Sequence, residues 1–228
     1  RRAKFIYINY PNNPTGAVAT KAFYEKLVAW AKTYEVGVVS DLAYGALGYR
    51  GYENPSFLST PGAKDVGIEF YTFSKTFNMA GWRLAFAAGD DQMIEALNLI
   101  QDHLFVGIFP ALQEAGIAAL LDPKSEEAVA QLNATYDSRR DAFVQAAAKI
   151  GWQAFPSRGS FYAWMPVPEG YTSESFADLL LEKAHVAVAP GKGFGPAGDA
   201  YVRIGLLVEP ERLGEAVNRI ANLHLFNN

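Results

Sequence analysis

The stretch FYTFSKTFNMAGWR, residues 70–83, begins as an apolar strand and ends in polar chemistry. Lys75 comes directly after Ser74 and three residues after Thr72, and Arg83 follows eight residues after Lys75. An amine beside hydroxyls at the end of an apolar strand has two interpretations. Either the strand has reached water, or the amine is a chemical reagent, and the rest of the sequence has to decide between them.

Composition excludes several classes of function. The chain has 228 residues, half of them apolar, which is long enough to bury a large core. Its 20 Lys and Arg against 24 Asp and Glu leave no basic excess for a nucleic-acid backbone. No long stretch lacks charges and turn residues, so we expect no membrane span. Without cysteine, and with three histidines at no ligand spacing, we expect no metal site, and a cytoplasmic protein.

The first half of the chain alternates strand and helix. Strands are expected at residues 4–11, 36–41, 68–74 and 83–89, with a helix over 21–35 capped by Thr20. Short strands that are apolar on both faces are typical of a mixed, mostly parallel sheet covered by helices. Functional groups gather at the carboxyl ends of such strands, which predicts that Asn12, Asn13, Asp41 and Lys75 share one edge.

The second half reads as helices followed by a smaller α+β domain. Helices are expected over 91–104 and 110–121, and a long helix over about 124–150. We predict that residues 1–135 form part of a large domain with Lys75, and that 136–228 form a small C-terminal domain. In the latter we expect a strand pair over 152–167, a helix over 173–184, strands over 186–190 and 201–208, and a final helix over 210–225.

A glycine-rich turn in the second half resembles a nucleotide loop only superficially. GFGPAG, residues 193–198, matches the G-x-G-x-x-G pattern. A dinucleotide loop follows a first strand and opens a helix, whereas this turn contains Pro196 and leads into the strand YVRIG. We therefore do not interpret it as a nucleotide site.

Arg203 lies inside the apolar strand YVRIGLLV. A guanidinium in such a strand is costly unless it has a partner or waits for an anion. One interpretation is a structural ion pair with a nearby carboxylate such as Glu209 or Asp199. The other is a substrate carboxylate, held by two parallel hydrogen bonds.

Together these residue types supply what pyridoxal 5′-phosphate (PLP) requires. Its aldehyde needs an amine, and its pyridine nitrogen needs a carboxylate that keeps the ring protonated. The ring oxygen needs hydrogen-bond donors, and the phosphate needs an arginine and hydroxyls. A lysine, an aspartate, a tyrosine, an asparagine, hydroxyls and arginines all fall at strand ends here.

Four stretches in this order resemble the class I/II aminotransferases, which are fold-type I PLP enzymes: YPNNPTG, SDLAY, SKTFNMAGWR and YVRIGL. The resemblance extends over essentially the whole chain. It implies an α/β PLP-dependent transferase fold like that of aspartate aminotransferase, with a partial large domain and a C-terminal α+β domain. It also implies a homodimer, because active sites in this family borrow residues from a second subunit.

The resemblance assigns roles residue by residue. Lys75 would be the Schiff-base lysine, and Asp41 would pair with the pyridine nitrogen. Asn13 and Tyr44 would donate to the ring oxygen, with Tyr44 counted beside Lys75 and Asp41 as catalytic. The remaining roles concern anionic groups: the phosphate would be held by Arg83, Ser74 and Thr72, and the substrate carboxylate by Arg203 together with Asn13.

The implied reaction moves an amino group between an amino acid and a 2-oxo acid such as 2-oxoglutarate. Within the family, PGAKDVGIEF and PVPEGYTSESFADLLLEKA are most similar to LL-diaminopimelate aminotransferases, which implies lysine biosynthesis. Three alternatives stay open: a C–S β-lyase with the same residues, a ligand-sensing domain of a transcription regulator, and an inactive fragment. The last arises because the N-terminal part of the family pattern is missing, and we expect the chain to begin inside a larger protein.

Overall fold

The computed structural model describes residues 3–155 and 157–226. The chain divides into two compact units. The N-terminal unit consists of Arg1–Pro11 and Val18–Leu132, and the C-terminal unit consists of Asn12–Ala17 and Asn133–Asn228. The predicted domain division between residues 135 and 136 stays a prediction. Among the described residues, no helix is both long and apolar enough to cross a membrane.

The N-terminal unit is built on a four-stranded sheet. Its strands, in spatial as well as chain order, are β1 (Phe5–Asn9), β2 (Gly37–Asp41), β3 (Gly67–Thr72) and β4 (Ala85–Gly89). β1 pairs with β2 and β2 with β3 in parallel, whereas β3 and β4 are antiparallel. The predicted mixed, mostly parallel sheet is thus confirmed.

Helix α1 (Lys21–Tyr34) supplies the apolar layer against this sheet. It begins at Thr20, whose hydroxyl accepts a hydrogen bond from the Phe23 amide at 3.2 Å, as the capping signal predicts. The buried side chains of α1 recur every three or four residues, which is the spacing that places them on one face of a helix. They are Tyr24, Leu27, Val28 and Ala31, and they share a core with Val38 and Phe57.

The next α-helices are α2 (Phe73–Thr76), α3 (Asp91–Leu104), α4 (Pro110–Leu121) and the long α5 (Ser125–Lys149). The three later helices lie close to their predicted bounds, whereas α2 was not predicted: the strand expected over 68–74 ends at Thr72, and its last two residues open this helical turn. The Asp90 side chain caps α3 by accepting from the Met93 amide at 3.0 Å, and Pro110 occupies the first turn of α4, where its missing N–H costs nothing.

The C-terminal unit contains a three-stranded antiparallel sheet. Its strands lie in the order β5 (Tyr162–Pro166), β7 (Tyr201–Gly205) and β6 (Ala189–Pro190), and its helices are α6 (Ser173–Leu179) and α7 (Pro210–Ala221). Trp152, 1% exposed, lies in the core of this unit, and its indole N–H donates to the Pro166 carbonyl at 2.7 Å.

Five predictions in this unit were too long. The strand over 201–208 ends at Gly205, and the helix over 210–225 ends at Ala221. Of the strand pair expected over 152–167, only β5 is a strand. Phe155 donates one bond to the Trp164 carbonyl, and Pro156 lies outside the described residues. The strand over 186–190 shortens to β6, because residues 186–188 lie outside the ladder with β7. The helix over 173–184 is α-helical only to Leu179 and continues as a wider π turn over Leu180–Ala184.

Candidate active site

Two neighbouring parallel strands of the N-terminal unit end in the predicted catalytic groups. β2 ends at Asp41, which lies opposite Phe70 of β3, and β3 runs on to Thr72. Because parallel strands end at the same edge of a sheet, Asp41 and the turn that carries Lys75 share that edge. Asn9, at the end of β1, lies opposite Asp41 and donates its side-chain amide to the Asp41 main-chain carbonyl at 3.0 Å.

Asp41 is held by its own turn while its carboxylate stays exposed. Its Oδ1 accepts the Ala43 amide at 3.0 Å, which is the local bond that aspartate commonly makes in a turn. Tyr44 follows in the same turn, where its carbonyl accepts the Leu47 amide at 2.8 Å. The Tyr44 side chain is buried, at 5% exposure, so a phenolic group is fixed three residues after the carboxylate.

Lys75 lies half-buried on α2, a single helical turn anchored on both sides. On one side, the Thr72 hydroxyl accepts the Ser74 amide at 3.2 Å and donates to the Ser74 hydroxyl at 3.0 Å. On the other side, the Thr76 hydroxyl is 2.7 Å from the Tyr71 phenol. Burial raises the pKa of Tyr71, which keeps this phenol protonated and available for the bond. These contacts restrict the backbone that carries the amine.

Arg83 ends the loop that follows α2. Its backbone adopts a left-handed conformation, with φ of 54°, and its guanidinium donates to the Ala80 carbonyl at 3.0 Å. The side chain is exposed. The loop is closed at its base, where the Phe73 amide donates to the Leu84 carbonyl at 3.2 Å. Arg83 thus returns to the sheet beside the turn that holds the two predicted phosphate hydroxyls.

Glu69 is a buried residue of this unit that the sequence reasoning missed. It is 5% exposed, and its Oε2 accepts the Ser40 hydroxyl at 3.0 Å and the Phe57 amide at 2.8 Å. Its Oε1 accepts the Ser56 hydroxyl at 2.5 Å. The pKa of the Tyr24 phenol is raised, first by the burial of Tyr24 and then by the negative charge of Glu69. A charged residue inside the apolar run GIEFYT was the signal that could have singled it out.

In the C-terminal unit, Arg203 has a defined environment without a carboxylate among its described contacts. Neither acid that would explain a structural ion pair contacts it: Glu209 pairs with Arg139, and Asp199 accepts the Ser173 hydroxyl at 2.8 Å. Instead, Arg203 donates to the Asn13 side-chain carbonyl at 2.6 Å. The interpretation of Arg203 as half of a structural ion pair therefore loses both of its candidate partners.

Two aromatic rings complete the environment of Arg203. Its guanidinium carbon lies 4.2 Å from the centre of the Tyr162 ring and 4.8 Å from that of the Phe194 ring. The sequence reasoning missed both rings, because Tyr162 is one of several aromatic residues in a core strand and Phe194 lies in the glycine-rich turn.

The NNPTG turn places Asn13 within the C-terminal unit. The Asn12 side chain accepts the Thr15 hydroxyl at 2.7 Å, which closes the turn. The Gly16 carbonyl accepts the amides of both Arg158 and Gly159 at 3.2 Å. Gly16 itself has φ of +69°, a conformation that favours glycine. The turn is thus tied to the segment that precedes β5.

Comparison with known proteins decides the family. A family profile described as aminotransferase class I and II matches residues 1–220. The chain belongs to the class I and II aminotransferase family. The resemblance drawn from the four motifs is thereby confirmed.

Among solved structures, apo-BacF from Bacillus subtilis superposes on this aminotransferase-family chain with a TM-score of 0.94 at 46% identity. The match covers 99% of this chain and 57% of BacF. Together with the family match, it confirms the predicted fold-type I aminotransferase fold.

Two curated relatives have more specific names. The L-glutamine–4-(methylsulfanyl)-2-oxobutanoate aminotransferase of Bacillus subtilis (strain 168) is 58% identical over 225 residues. The LL-diaminopimelate aminotransferase of Moorella thermoacetica (strain ATCC 39073 / JCM 9320) is 49% identical over 220 residues. The alignments cover 99% and 96% of this chain, but 56% of each relative, so the chain spans little more than half the length of these relatives.

Family membership implies PLP as the cofactor, and the donor set of this aminotransferase-family chain fits it. At one edge of a sheet the N-terminal unit carries a carboxylate in Asp41 and an amine in Lys75. The paired hydroxyls of Thr72 and Ser74 lie on the same turn as the amine. These groups match the pyridine nitrogen, the aldehyde and the phosphate of PLP in chemical type.

Proposed function

We propose that this chain acts as a PLP-dependent aminotransferase that moves an amino group between an amino acid and a 2-oxo acid. The observation that supports this most directly is the position of Lys75 and Asp41, which follow neighbouring parallel strands and share the carboxyl edge of one sheet. A surface lysine that had merely reached water would need neither the anchored turn around it nor a carboxylate at the same edge.

PLP, when bound, supplies an aldehyde that reacts with amines and a protonated ring that withdraws electrons from the substrate carbon. The Asp41 carboxylate would accept a hydrogen bond from the protonated pyridine nitrogen and keep the ring charged. Lys75 would hold the cofactor. Its Nζ would take the proton from the substrate Cα as general base and would then donate it to the cofactor carbon as general acid. Ser74, Thr72 and Arg83 would bind the phosphate, and Tyr44 and Asn13 would donate to the ring oxygen.

Arg203 would bind the α-carboxylate of the substrate. Amino acids and 2-oxo acids both carry this carboxylate, so one anchor serves both halves of an amino transfer. A guanidinium binds a carboxylate through two parallel N–H donors, which fixes the orientation of the ligand as well as its position. This role is supported by the lack of contact between Arg203 and either Glu209 or Asp199.

For the substrates, we propose L-glutamine as amino donor and 4-(methylsulfanyl)-2-oxobutanoate as acceptor. This pair is named in the Bacillus subtilis relative at 58% identity, whereas LL-diaminopimelate is named in relatives at 49% identity and below. The diaminopimelate expectation from the motifs therefore becomes the second substrate to test. A homodimer also stays part of the proposal, and light scattering on the purified protein would test it.

The assignment of Lys75 is tested by borohydride reduction in the presence of PLP, followed by peptide mass spectrometry. We expect one fixed cofactor, on the peptide that contains Lys75, and none on that peptide in Lys75→Ala. Lys26→Ala is the matched control, because Lys26 is an exposed lysine on α1 and its loss should leave the labelling unchanged. Equal labelling of Lys75→Ala and the unmodified protein would contradict the assignment.

The reaction class is tested by product analysis. We expect methionine to form from 4-(methylsulfanyl)-2-oxobutanoate with glutamine as donor, at a rate that Lys75→Ala abolishes. Release of pyruvate and ammonia from a β-substituted amino acid, without amino transfer, would refute the proposal and favour the β-lyase alternative.

A further inference from the structure

We propose that the segment over residues 191–198, which includes the glycine-rich turn at 193–198, is a positioning device for Arg203. It holds the Phe194 ring against the guanidinium, so that Arg203 meets a substrate carboxylate with its N–H edge. This inference rests on the proposed carboxylate-binding role of Arg203 and deepens it. It gives a function to the turn whose G-x-G-x-x-G pattern does not fit a nucleotide site.

The contacts of Arg203 restrict how an anion can approach it. The guanidinium is flat and carries its five N–H donors in its own plane. Tyr162 and Phe194 lie within 5 Å of its central carbon, measured to the ring centres, which is within the range of cation–π attraction. Rings this close to the guanidinium carbon occupy positions that an anion would otherwise take. Asn13 accepts from Nη1 at 2.6 Å, which fixes the rotation of the guanidinium in its plane.

The Phe194 ring is held from behind by a stack of aromatic residues. It packs edge-on against Trp164, with the ring centres 6.1 Å apart. Trp164 is 5% exposed and stacks on Tyr201 at 5.2 Å with an interplanar angle of 16°. Trp164 lies directly opposite Arg203 in the pairing of β5 with β7. The support for the Phe194 ring is therefore built into β7, which carries Arg203, and into its neighbour β5.

The backbone of the turn is fixed at both ends. The Lys192 amide donates to the Ser173 hydroxyl at 3.2 Å, and that hydroxyl donates to Asp199 at 2.8 Å. Gly191 and Gly198 approach so closely that a Cβ on Gly191 would lie 2.1 Å from the Gly198 carbonyl oxygen. The two glycines are thus needed for a close backbone approach that closes the turn around the segment carrying Phe194.

The test follows the Arg203 side chain directly, by NMR of ¹⁵N-labelled arginine Nε–H groups in the purified protein, with Arg203→Lys used for assignment. The probe is 4-(methylsulfanyl)butanoate, a carboxylate that lacks both the amino and the oxo group and is not turned over. Phe194→Leu removes the ring and keeps an apolar side chain, whereas Phe194→Tyr keeps the ring. Phe155→Leu is the matched control, because Phe155 is 43% exposed and Phe194 is 41% exposed.

We expect Phe194→Leu to move the Arg203 Nε–H signal and to weaken carboxylate binding by about three- to tenfold. Phe194→Tyr should restore both, and Phe155→Leu should change neither. In turnover, Phe194→Leu should raise KM for the 2-oxo acid with little change in kcat, as expected for loss of uniform substrate binding.

An unchanged signal and affinity in Phe194→Leu would overturn this inference alone. If the unmodified protein showed no response of Arg203 to the carboxylate, the proposed role of Arg203 would fail, and the inference with it.

Discussion

Replacing Glu69 gives the sharpest test of how the N-terminal unit is held together. We expect Glu69→Ala to lower the free energy of unfolding by about 3–5 kcal/mol. The Ser40 side chain is 1% exposed and Phe57 is 0% exposed, so neither the hydroxyl nor the amide that now donates to Glu69 would find water. Each stranded donor costs about 1–3 kcal/mol, and the shortened side chain leaves a cavity. Ser56 is less buried, so its hydroxyl should turn to solvent at little cost.

Glu69→Gln should behave differently and stay within about 1 kcal/mol of the unmodified protein. The amide oxygen can occupy the Oε2 position and keep the bonds from Ser40 and Phe57, while the amide N–H₂ faces the Ser56 hydroxyl, which can accept. Three bonds lose the strength that a charged acceptor adds. That loss is offset because the protein no longer buries a carboxylate without a cation among its described contacts.

Urea unfolding followed by circular dichroism would measure both variants, with Glu25→Ala as the control, since Glu25 is exposed on α1. Amide hydrogen exchange gives the local readout, because the Phe57 amide should lose protection in Glu69→Ala and largely keep it in Glu69→Gln. The reasoning is refuted if the free energy of unfolding of Glu69→Ala lies within about 1 kcal/mol of that of the unmodified protein while the Phe57 amide stays protected.

Three further changes test the C-terminal unit. Gly16→Ala should destabilise it by about 2 kcal/mol or more, because the residue has φ of +69° and its new Cβ would lie 2.2 Å from the Ser157 hydroxyl oxygen; urea midpoints would measure this. Ser173 donates two hydrogen bonds to Asp199, and these hold the pKa of Asp199 below its ordinary 3.8. The bond from the Ser173 hydroxyl has the larger effect, and the bond from its amide the smaller. The stabilisation from Asp199 should therefore be complete above about pH 5 and lost as the pH falls through the lowered pKa, so unfolding curves of Asp199→Asn and the unmodified protein should converge in acid. Trp152→Ala should lower the free energy of unfolding by about 3–5 kcal/mol, since it leaves a cavity in the core and removes an indole hydrogen bond.

Each of these has a control in the same unit. Gly214→Ala lies in α7 with open space around the new Cβ and should be neutral or slightly stabilising, so an equal loss at Gly214 would argue against the strain at Gly16. Asp178→Asn, at an exposed position of α6, is the matched control for Asp199→Asn. A Trp152→Ala protein as stable as the unmodified one would contradict the place of Trp152 in the core.

Local chemistry made much of this fold predictable. The apolar runs over 36–41 and 68–74 predicted neighbouring strands of a mostly parallel sheet, and Thr20 predicted the helix that begins after it. The motif around Lys75 predicted the strand that precedes it, although not the helical turn that carries the lysine. Such features depend on residues close together in the chain, and neighbouring side chains and backbone bonds are enough to specify them.

What the sequence by itself determined was the family, the sheet type and the residue types that meet at a strand edge. Only the tertiary structure decided which groups surround them: that Glu69 accepts from Ser40, Ser56 and Phe57, and that Asn13 and Phe194 contact Arg203. These contacts join residues up to 190 positions apart. They follow from strand register and core packing, and any of several aromatic or polar side chains would have satisfied the local pattern equally well.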